Sequence, residues 1–369
     1  MTTVLDGQIV LPDRVMPGRI RFGPFIETID PLPSAPDRLV LPGFIDAHVH
    51  GGGGGDTIDG VDGIETLARF HLSHGTTTLL PTTITRPWPE VLAMLEAVRR
   101  VMESGVENGA DIPGAHLEGP FISPQRLGAQ PAFAVLPTPE RVREALRTGA
   151  VRVVTMAPEL EHAFEAAAAF VSAGVRVSLG HSQADHAQAA QMLDHLSALG
   201  GVAAGTHLFN AMNGIAGRSP GLVGALLLSP DAHAELILDT HHVHPASFRL
   251  AHAMLGDRLL LITDAMRAAG LGDGESELGG HPVSIRDGIA RLRDGTLAGS
   301  VLTMDQAFRN ALAAGMDIPA AARLTAGNAA SYLGLADRGA LRPGLRADLV
   351  VMDASTRIDE VWRLGRRSR

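Results

Sequence analysis

Leu41-Pro42-Gly43-Phe44-Ile45-Asp46-Ala47-His48-Val49-His50, followed by five glycines from Gly51 to Gly55, decides how this chain is read. Arg38-Leu39-Val40-Leu41 has the pattern of a strand running inward, and Phe44-Ile45 continue it. His48 and His50 stand two apart, so an extended backbone projects both imidazoles from one face. The glycine run lets the chain turn away without crowding whatever the imidazoles hold. In residue chemistry this is half of a metal site. Taken alone, two histidines at a strand end are an ordinary structural feature; the histidines and carboxylates further along the chain make them a site.

Working outward, the 369 residues suit one barrel-sized domain with a smaller appendage. Apolar residues make up 45% and charged residues 19%, a globular composition. The net charge of −9 gives no electrostatic reason to bind nucleic acid or an anionic membrane. No apolar run approaches the roughly 20 residues that span a bilayer. The first residues lack the basic and apolar regions of a signal peptide, so a cytoplasmic protein is expected. There is no cysteine, which excludes disulfides and thiolate metal sites. Lysine is absent too: all 31 basic residues are arginines. That excludes Schiff-base chemistry, a P-loop and a lysine bridging two metals.

Apolar runs that resemble strands recur through the chain. After the opening stretch come Thr77–Leu80, Gly114–Leu117, Val151–Val154, Val175–Leu179, Gly201–Gly205, Ala234–Leu238 and Leu259–Ile262. Ala/Leu/Glu-rich stretches such as Pro89–Glu103 and Phe164–Ala173 separate them and read as helices. Eight such units predict an α/β fold, a TIM-like (β/α)8 barrel over residues 45–335. An open doubly wound sheet is the alternative, but no G-x-G-x-x-G follows any strand. Both chain ends carry short strand patterns, punctuated near the start by prolines. They are expected to meet as a small β-sandwich domain, residues 1–44 plus 336–369.

The polar residues fall where barrel chemistry needs them, at strand ends. His48 and His50, Glu118, His181, His207, His242 and His244, and Asp264 each follow an apolar run. Histidines and carboxylates converging on one barrel mouth make a metal site.

Longer motifs surround these residues: His116-Leu117-Glu118-Gly119-Pro120-Phe121, Gly180-His181-Ser182, Thr206-His207-Leu208-Phe209-Asn210-Ala211-Met212, Ile262-Thr263-Asp264-Ala265-Met266 and Leu297-Ala298-Gly299-Ser300. With Pro42–Gly51, Ala157-Pro158-Glu159 and Gly344–Leu349 they span nearly the whole chain. The sequence thereby resembles the amidohydrolase superfamily and, within it, the N-acetylglucosamine-6-phosphate deacetylase family. The resemblance implies metal-dependent hydrolysis of the N-acetyl group of N-acetylglucosamine 6-phosphate, giving glucosamine 6-phosphate and acetate. It implies one divalent metal on Glu118, His181 and His207, and room for a second on His48, His50 and Asp264. Glu118 takes the place of a bridging lysine, because one carboxylate offers an oxygen to each ion. Asp264 is implied as the catalytic base and proton donor. Mixed nitrogen and oxygen ligands suit Zn²⁺ first, and Fe²⁺, Mn²⁺ or Co²⁺ as well.

For the substrate, the resemblance points to five residues. Gln130 stands where many members have a histidine on the substrate carbonyl, and its neutral amide is a weaker donor to an oxyanion. Arg218 and His242 are the candidate phosphate cations, helped by backbone at Asn210 and Ala211. In the family pattern Arg218 and His242 reach a neighbouring subunit, which implies a homodimer. Two other readings stand beside this one: a deacylase of another N-acylated sugar or amino acid, and a catalytically silent barrel that binds a partner.

Overall fold

A computed structural model of the chain describes residues 2–368. Residues 1 and 369, the outermost positions of the expected terminal domain, lie outside the described residues.

The opening stretch forms two strands, where the sequence pattern suggested one. Leu39–Pro42 joins a sheet of the chain ends, and Phe44–Val49 pairs in parallel with Thr76–Pro81. Gly43 makes the handover. Its N–H donates to Asp348 O at 2.8 Å, while the next N–H, of Phe44, donates to Gly75 O at 3.0 Å. Successive residues are thus captured by different sheets. A Cβ at residue 43 would lie 2.2 Å from Thr77 Oγ1, so only glycine lets the two strands come this close.

The other expected strands form within a few residues of their predicted limits. Ala115–Glu118, Val151–Met156, Arg176–Leu179, Ala203–Gly205, His233–Ile237 and Leu259–Ile262 lie side by side in chain order as a parallel sheet. Helices cross between them, as parallel connections require. Trp88–Ser104 shows why: Val91, Met94, Leu95, Val98 and Val101 recur at helical spacing and are buried. Pro89 starts that helix and Gly105, at φ +68°, ends it. His186–Ala198 begins instead with a capping box, Asp185 with Gln188. The two-stranded pair is bound to this sheet on both flanks. Thr82 bridges in parallel to His116 on one side; on the other, Asp264 N donates to His48 O and His50 N to Ala265 O, both at 2.9 Å.

Among the described residues, both chain ends join in one sheet of seven strands. Thr3–Val10, Val15–Phe22, Ile26–Pro31 and Leu39–Pro42 come from the start; Leu349–Met352, Ile358–Arg363 and Arg366–Arg367 come from the end. The sheet curls over on itself. Phe22 and Trp362, on strands well separated in the sheet order, have ring centroids 5.2 Å apart. The layered form expected of a sandwich therefore comes from one curled sheet, enclosing its own core of Leu5, Ile9, Ile20, Phe22, Val40, Leu349 and Val351. An ion cluster ties this unit to the parallel strands: Asp111 accepts from Arg338 and from Arg346.

A three-stranded antiparallel sheet, Gly274–Leu278, His281–Arg286 and Ile289–Leu292, was not expected. Gly279-Gly280 and Asp287-Gly288 are its hairpin turns, a signal present in the sequence. It is inserted between Asp264 and Leu297-Ala298-Gly299-Ser300, and its Leu278 reaches the central cleft.

Gly43→Ala should lower stability by about 1–3 kcal/mol, because the methyl group overpacks a rigid contact. Urea unfolding checks this: the midpoint falls and the slope is unchanged.

Candidate metal centre

The site is built at the C-terminal ends of the parallel strands, with Glu118 at its middle. Glu118 closes the strand Ala115–Glu118 and is 1% exposed. Its Oε1 lies 3.2 Å from His181 Nε2 and 3.0 Å from His207 Nε2. Its Oε2 lies 3.1 Å from His50 Nε2, and His48 Nε2 is 3.5 Å from Oε1. Asp264 Oδ1 stands across from the same pair, 3.2 Å from His50 Nε2 and 3.4 Å from His48 Nε2. The six residues named by the resemblance thus converge around one carboxylate.

The local backbone is bent to make this possible. His181, His207, Phe209, Ala211 and Asp264 all have positive φ, between +32° and +82°. For residues with a Cβ that conformation is strained, and strain of this kind gathers at functional sites. Each histidine or aspartate turns its side chain inward where a strand ends. Asp264 is held in place on both sides, its N–H donating to His48 O at 2.9 Å and its carbonyl accepting from Ser300 N at 2.8 Å.

The donor set fits a divalent cation. His181 Nδ1 donates to Arg126 O at 2.8 Å, so in the neutral ring the lone pair is on Nε2, facing Glu118. His48 Nδ1 lies 3.1 Å from Glu235 Oε2 and is fixed in the same tautomer. His181 and His207 face each other with Nε2 atoms 3.0 Å apart, and His48 and His50 at 3.4 Å. Lone pairs this close to one another and to carboxylate oxygens need a positive charge between them. Burial pulls the His48 and His50 imidazoles down, but Glu118 and Asp264 more than reverse this, holding His48 well above its usual value and His50 at about 9. Burial likewise pushes the two carboxyls up, and the imidazoles reverse it: Glu118 lies well below the carboxylate range and Asp264 at about 2. A pocket that favours protons so strongly favours a cation.

His116 does not join the ligands. It lies with His48 and Glu235 in a third possible group, yet both its nitrogens are engaged. Nδ1 donates to Ala47 O at 3.1 Å, and Nε2 accepts from Thr155 Oγ1 at 2.7 Å. Burial holds this ring down to about 4, so it stays neutral.

The substrate candidates are placed unequally. Gln130, Asn210, Ala211 and His242 line the cleft above Glu118. Gln130 has partners that the sequence did not show. Its Oε1 accepts from Thr85 N at 2.7 Å and its Nε2 donates to Glu118 Oε2, so its amide steadies Glu118. The Asn210 side chain turns back to His207 O and Leu208 O, and its backbone N–H also donates to His207 O, at 3.0 Å. His242 is oriented by Asp239, whose Oδ2 accepts from Nδ1 at 2.7 Å. Arg218 does not line the cleft: it is exposed on the loop before Gly221–Leu228, near exposed Ile215. His244 is occupied as a helix cap, its Nδ1 accepting from Ala246 N at 3.1 Å. Sequence reasoning missed Asp46, which lies within the opening motif. Its carboxylate accepts from Thr263 Oγ1 and from the N–H groups of Thr263 and His48, joining the first ligand strand to the last.

The amidohydrolase family model matches residues 39–367. The chain belongs to this family. Among its relatives, the N-acetylgalactosamine-6-phosphate deacetylase of Escherichia coli O157:H7 is 38% identical over 357 residues, covering 92% of this chain and 91% of the relative. The human N-acetylglucosamine-6-phosphate deacetylase is 38% identical over 348 residues, covering 89% and 83%. Among solved structures, a mutant N-acetyl-D-glucosamine-6-phosphate deacetylase from Mycobacterium smegmatis, in complex with N-acetyl-D-glucosamine-6-phosphate, superposes with a TM-score of 0.92. It is 35% identical and covers 100% of this chain and 99% of its own. This amidohydrolase has no lysine, and Glu118 is common to two groups of residues that could hold a metal ion.

Glu118→Ala should abolish metal uptake at both positions, whereas His50→Ala should remove one equivalent and leave the other. Elemental analysis of the purified variants checks this against wild type.

Proposed function

We propose that this amidohydrolase hydrolyses the acetamide of N-acetylglucosamine 6-phosphate, releasing acetate and glucosamine 6-phosphate. The observation that carries this is the Glu118 carboxylate, with His181 and His207 on one oxygen and the His48, His50 and Asp264 group opposite. The named substrates of the relatives supply the sugar. When bound, a divalent metal supplies Lewis acidity and lowers the pKa of water toward neutrality. Zn²⁺ is our first assignment from the mixed nitrogen and oxygen donors, with Fe²⁺, Mn²⁺ or Co²⁺ as alternatives, and one or two ions.

The chain's own groups do the rest. Asp264 stays ionised at neutral pH, lines the cleft and accepts the proton of the attacking water, which it passes to the leaving amine. Gln130 holds Glu118 in place. His242, fixed by Asp239, is our candidate for the phosphate, with Ala211 beside it in the cleft lining.

We read the eight parallel strands as a closed (β/α)8 barrel over residues 45–335, with 1–44 and 336–369 as the terminal β domain. The cleft also favours a homodimer. No arginine lines it among the described residues, and a phosphate dianion calls for one. Arg218, exposed near Ile215, is placed to serve a partner's cleft. A phosphate monoester does not cross a bilayer unaided, so we place the enzyme in the cytoplasm. The relative from Escherichia coli O157:H7 supports a second reading, N-acetylgalactosamine 6-phosphate as substrate.

Asp264→Asn should lower kcat by about 100-fold or more while still binding substrate. Acetate release, with calorimetric binding, checks it; near-normal turnover would assign proton transfer elsewhere. Arg218→Ala should weaken only phosphorylated substrates, by about 10- to 150-fold, the worth of a charge-assisted pair. The measurement is kcat/KM for both N-acetylhexosamine 6-phosphates and for N-acetylglucosamine. Equal losses on all three would make Arg218 structural; a wild type indifferent to phosphate would overturn the substrate reading.

A further inference from the structure

Glu235 lies in the strand His233–Ile237, directly beneath the metal centre, and is 0% exposed. It is one of a polar set contributed by alternate parallel strands in chain order: His48, His116, Ser178 and Glu235. Alternate strands fill a common layer of a barrel interior. A carboxylate in such a place is costly unless it is paired. Its Oε2 is 3.1 Å from His48 Nδ1, while Oε1 has no hydrogen-bond partner. The other rings nearby do not serve it. His116 Nδ1 is 3.8 Å away and already donates to Ala47 O. The Tyr332 phenol is pushed well above its usual range, by burial first and by the charge of Glu235 second, and stays neutral. Glu235 therefore has one polar partner, a proposed ligand, through the ring nitrogen that faces away from the metal centre.

The two ligand groups are anchored unequally. His181 rests its outer nitrogen on a neutral carbonyl, Arg126 O. His207 Nδ1 and His50 Nδ1 have no partner. Only His48 leans on a carboxylate. A carboxylate behind an imidazole fixes its tautomer and raises its basicity, which strengthens the nitrogen on the far side as a ligand.

We propose that Glu235 is a positioning residue for the His48/His50 metal position and tunes the affinity of that position alone, acting through His48. This rests on the two-position reading of the metal centre. Glu235 touches neither substrate nor the proposed ligand atoms; its effect passes through one hydrogen bond.

The test is metal binding to metal-free protein. Wild type, Glu235→Gln, His48→Ala and the double variant are titrated with Co²⁺ in competition with a chromophoric chelator, giving equivalents bound and an affinity for each. Glu235→Gln keeps the shape of the side chain and removes its charge. It should weaken one equivalent by about 10- to 100-fold and leave the other unchanged. His48→Ala should remove that same equivalent, and adding Glu235→Gln to it should change the remaining affinity by less than about twofold, because the two act as one unit. Should Glu235→Gln fail to fold, Glu235→Asp carries the test: one methylene shorter, it withdraws the carboxylate from Nδ1 and should weaken the same equivalent. Equal weakening of both equivalents, or a further loss in the His48→Ala background, would make Glu235 a general core residue and overturn the proposal. Wild-type affinities in Glu235→Gln would overturn it too. A wild type that binds one equivalent, kept in full by His48→Ala, would show that the two-position reading itself had failed.

Discussion

One carboxylate shared among four imidazoles governs this structure. Glu118 offers Oε1 to His181 and His207 and Oε2 to His50, with His48 close behind. Those residues come from four different strand ends, which the backbone ladders of the parallel strands hold within reach of one carboxylate. Like groups this close repel unless a positive charge lies among them. The raised basicity of His48 and His50 and the lowered pKa values of Glu118 and Asp264 express that one requirement. The positive φ of His181, His207 and Asp264 has the same origin: each backbone bends to bring its side chain inward.

Beneath the ligands lies a polar floor that holds them still. Asp46 links the first and last ligand strands through Thr263 and the His48 N–H, and burial, only partly offset by these bonds, holds its carboxyl up at about 7. His116, Thr155, Thr206 and Ser178 form a chain of hydrogen bonds across four further strands, with Ser178 and Thr206 at 2.6 Å. Around this floor the core is apolar, and among the described residues beneath the ligands the Glu235 carboxyl keeps one oxygen without a partner. The terminal sheet encloses a core of its own on one side and packs into the main core through Val10, Leu41, Val350 and Met352, with Asp111 paired to Arg338 and Arg346 beside it. Removing one partner from a largely buried ion cluster of this kind costs about 3–5 kcal/mol, which makes the clasp a real part of the fold.

Much of this was legible in the sequence for local reasons. Strand runs, helix periodicity and caps are written in neighbouring residues, so Val151–Met156 and Trp88–Ser104 were found close to their limits. The candidate ligands were legible because strand ends present them, and the family resemblance, rather than position alone, separated His48, His50, Glu118, His181, His207 and Asp264 from His242 and His244, which also follow an apolar run. The hairpins at Gly279-Gly280 and Asp287-Gly288 were equally local and were overlooked.

What the sequence by itself determined is the alternation of elements, the inventory of ligand chemistry and the lack of any lysine to bridge metals. What only the tertiary structure decided is which atoms share a neighbour. Gly43 looked like the middle of one strand, yet hydrogen bonds to Asp348 and Gly75 divide it between two sheets. Gln130 lines the cleft, and the fold also ties its amide to Thr85 N and Glu118, partners 45 and 12 residues away. Arg218 carries the right charge for phosphate, yet its loop keeps it out of its own cleft. Glu235 gave no sign in its strand of apolar neighbours, because its partner is 187 residues away. Pairings over such separations are set by how strands stack around a common axis, and no local pattern in the chain encodes that.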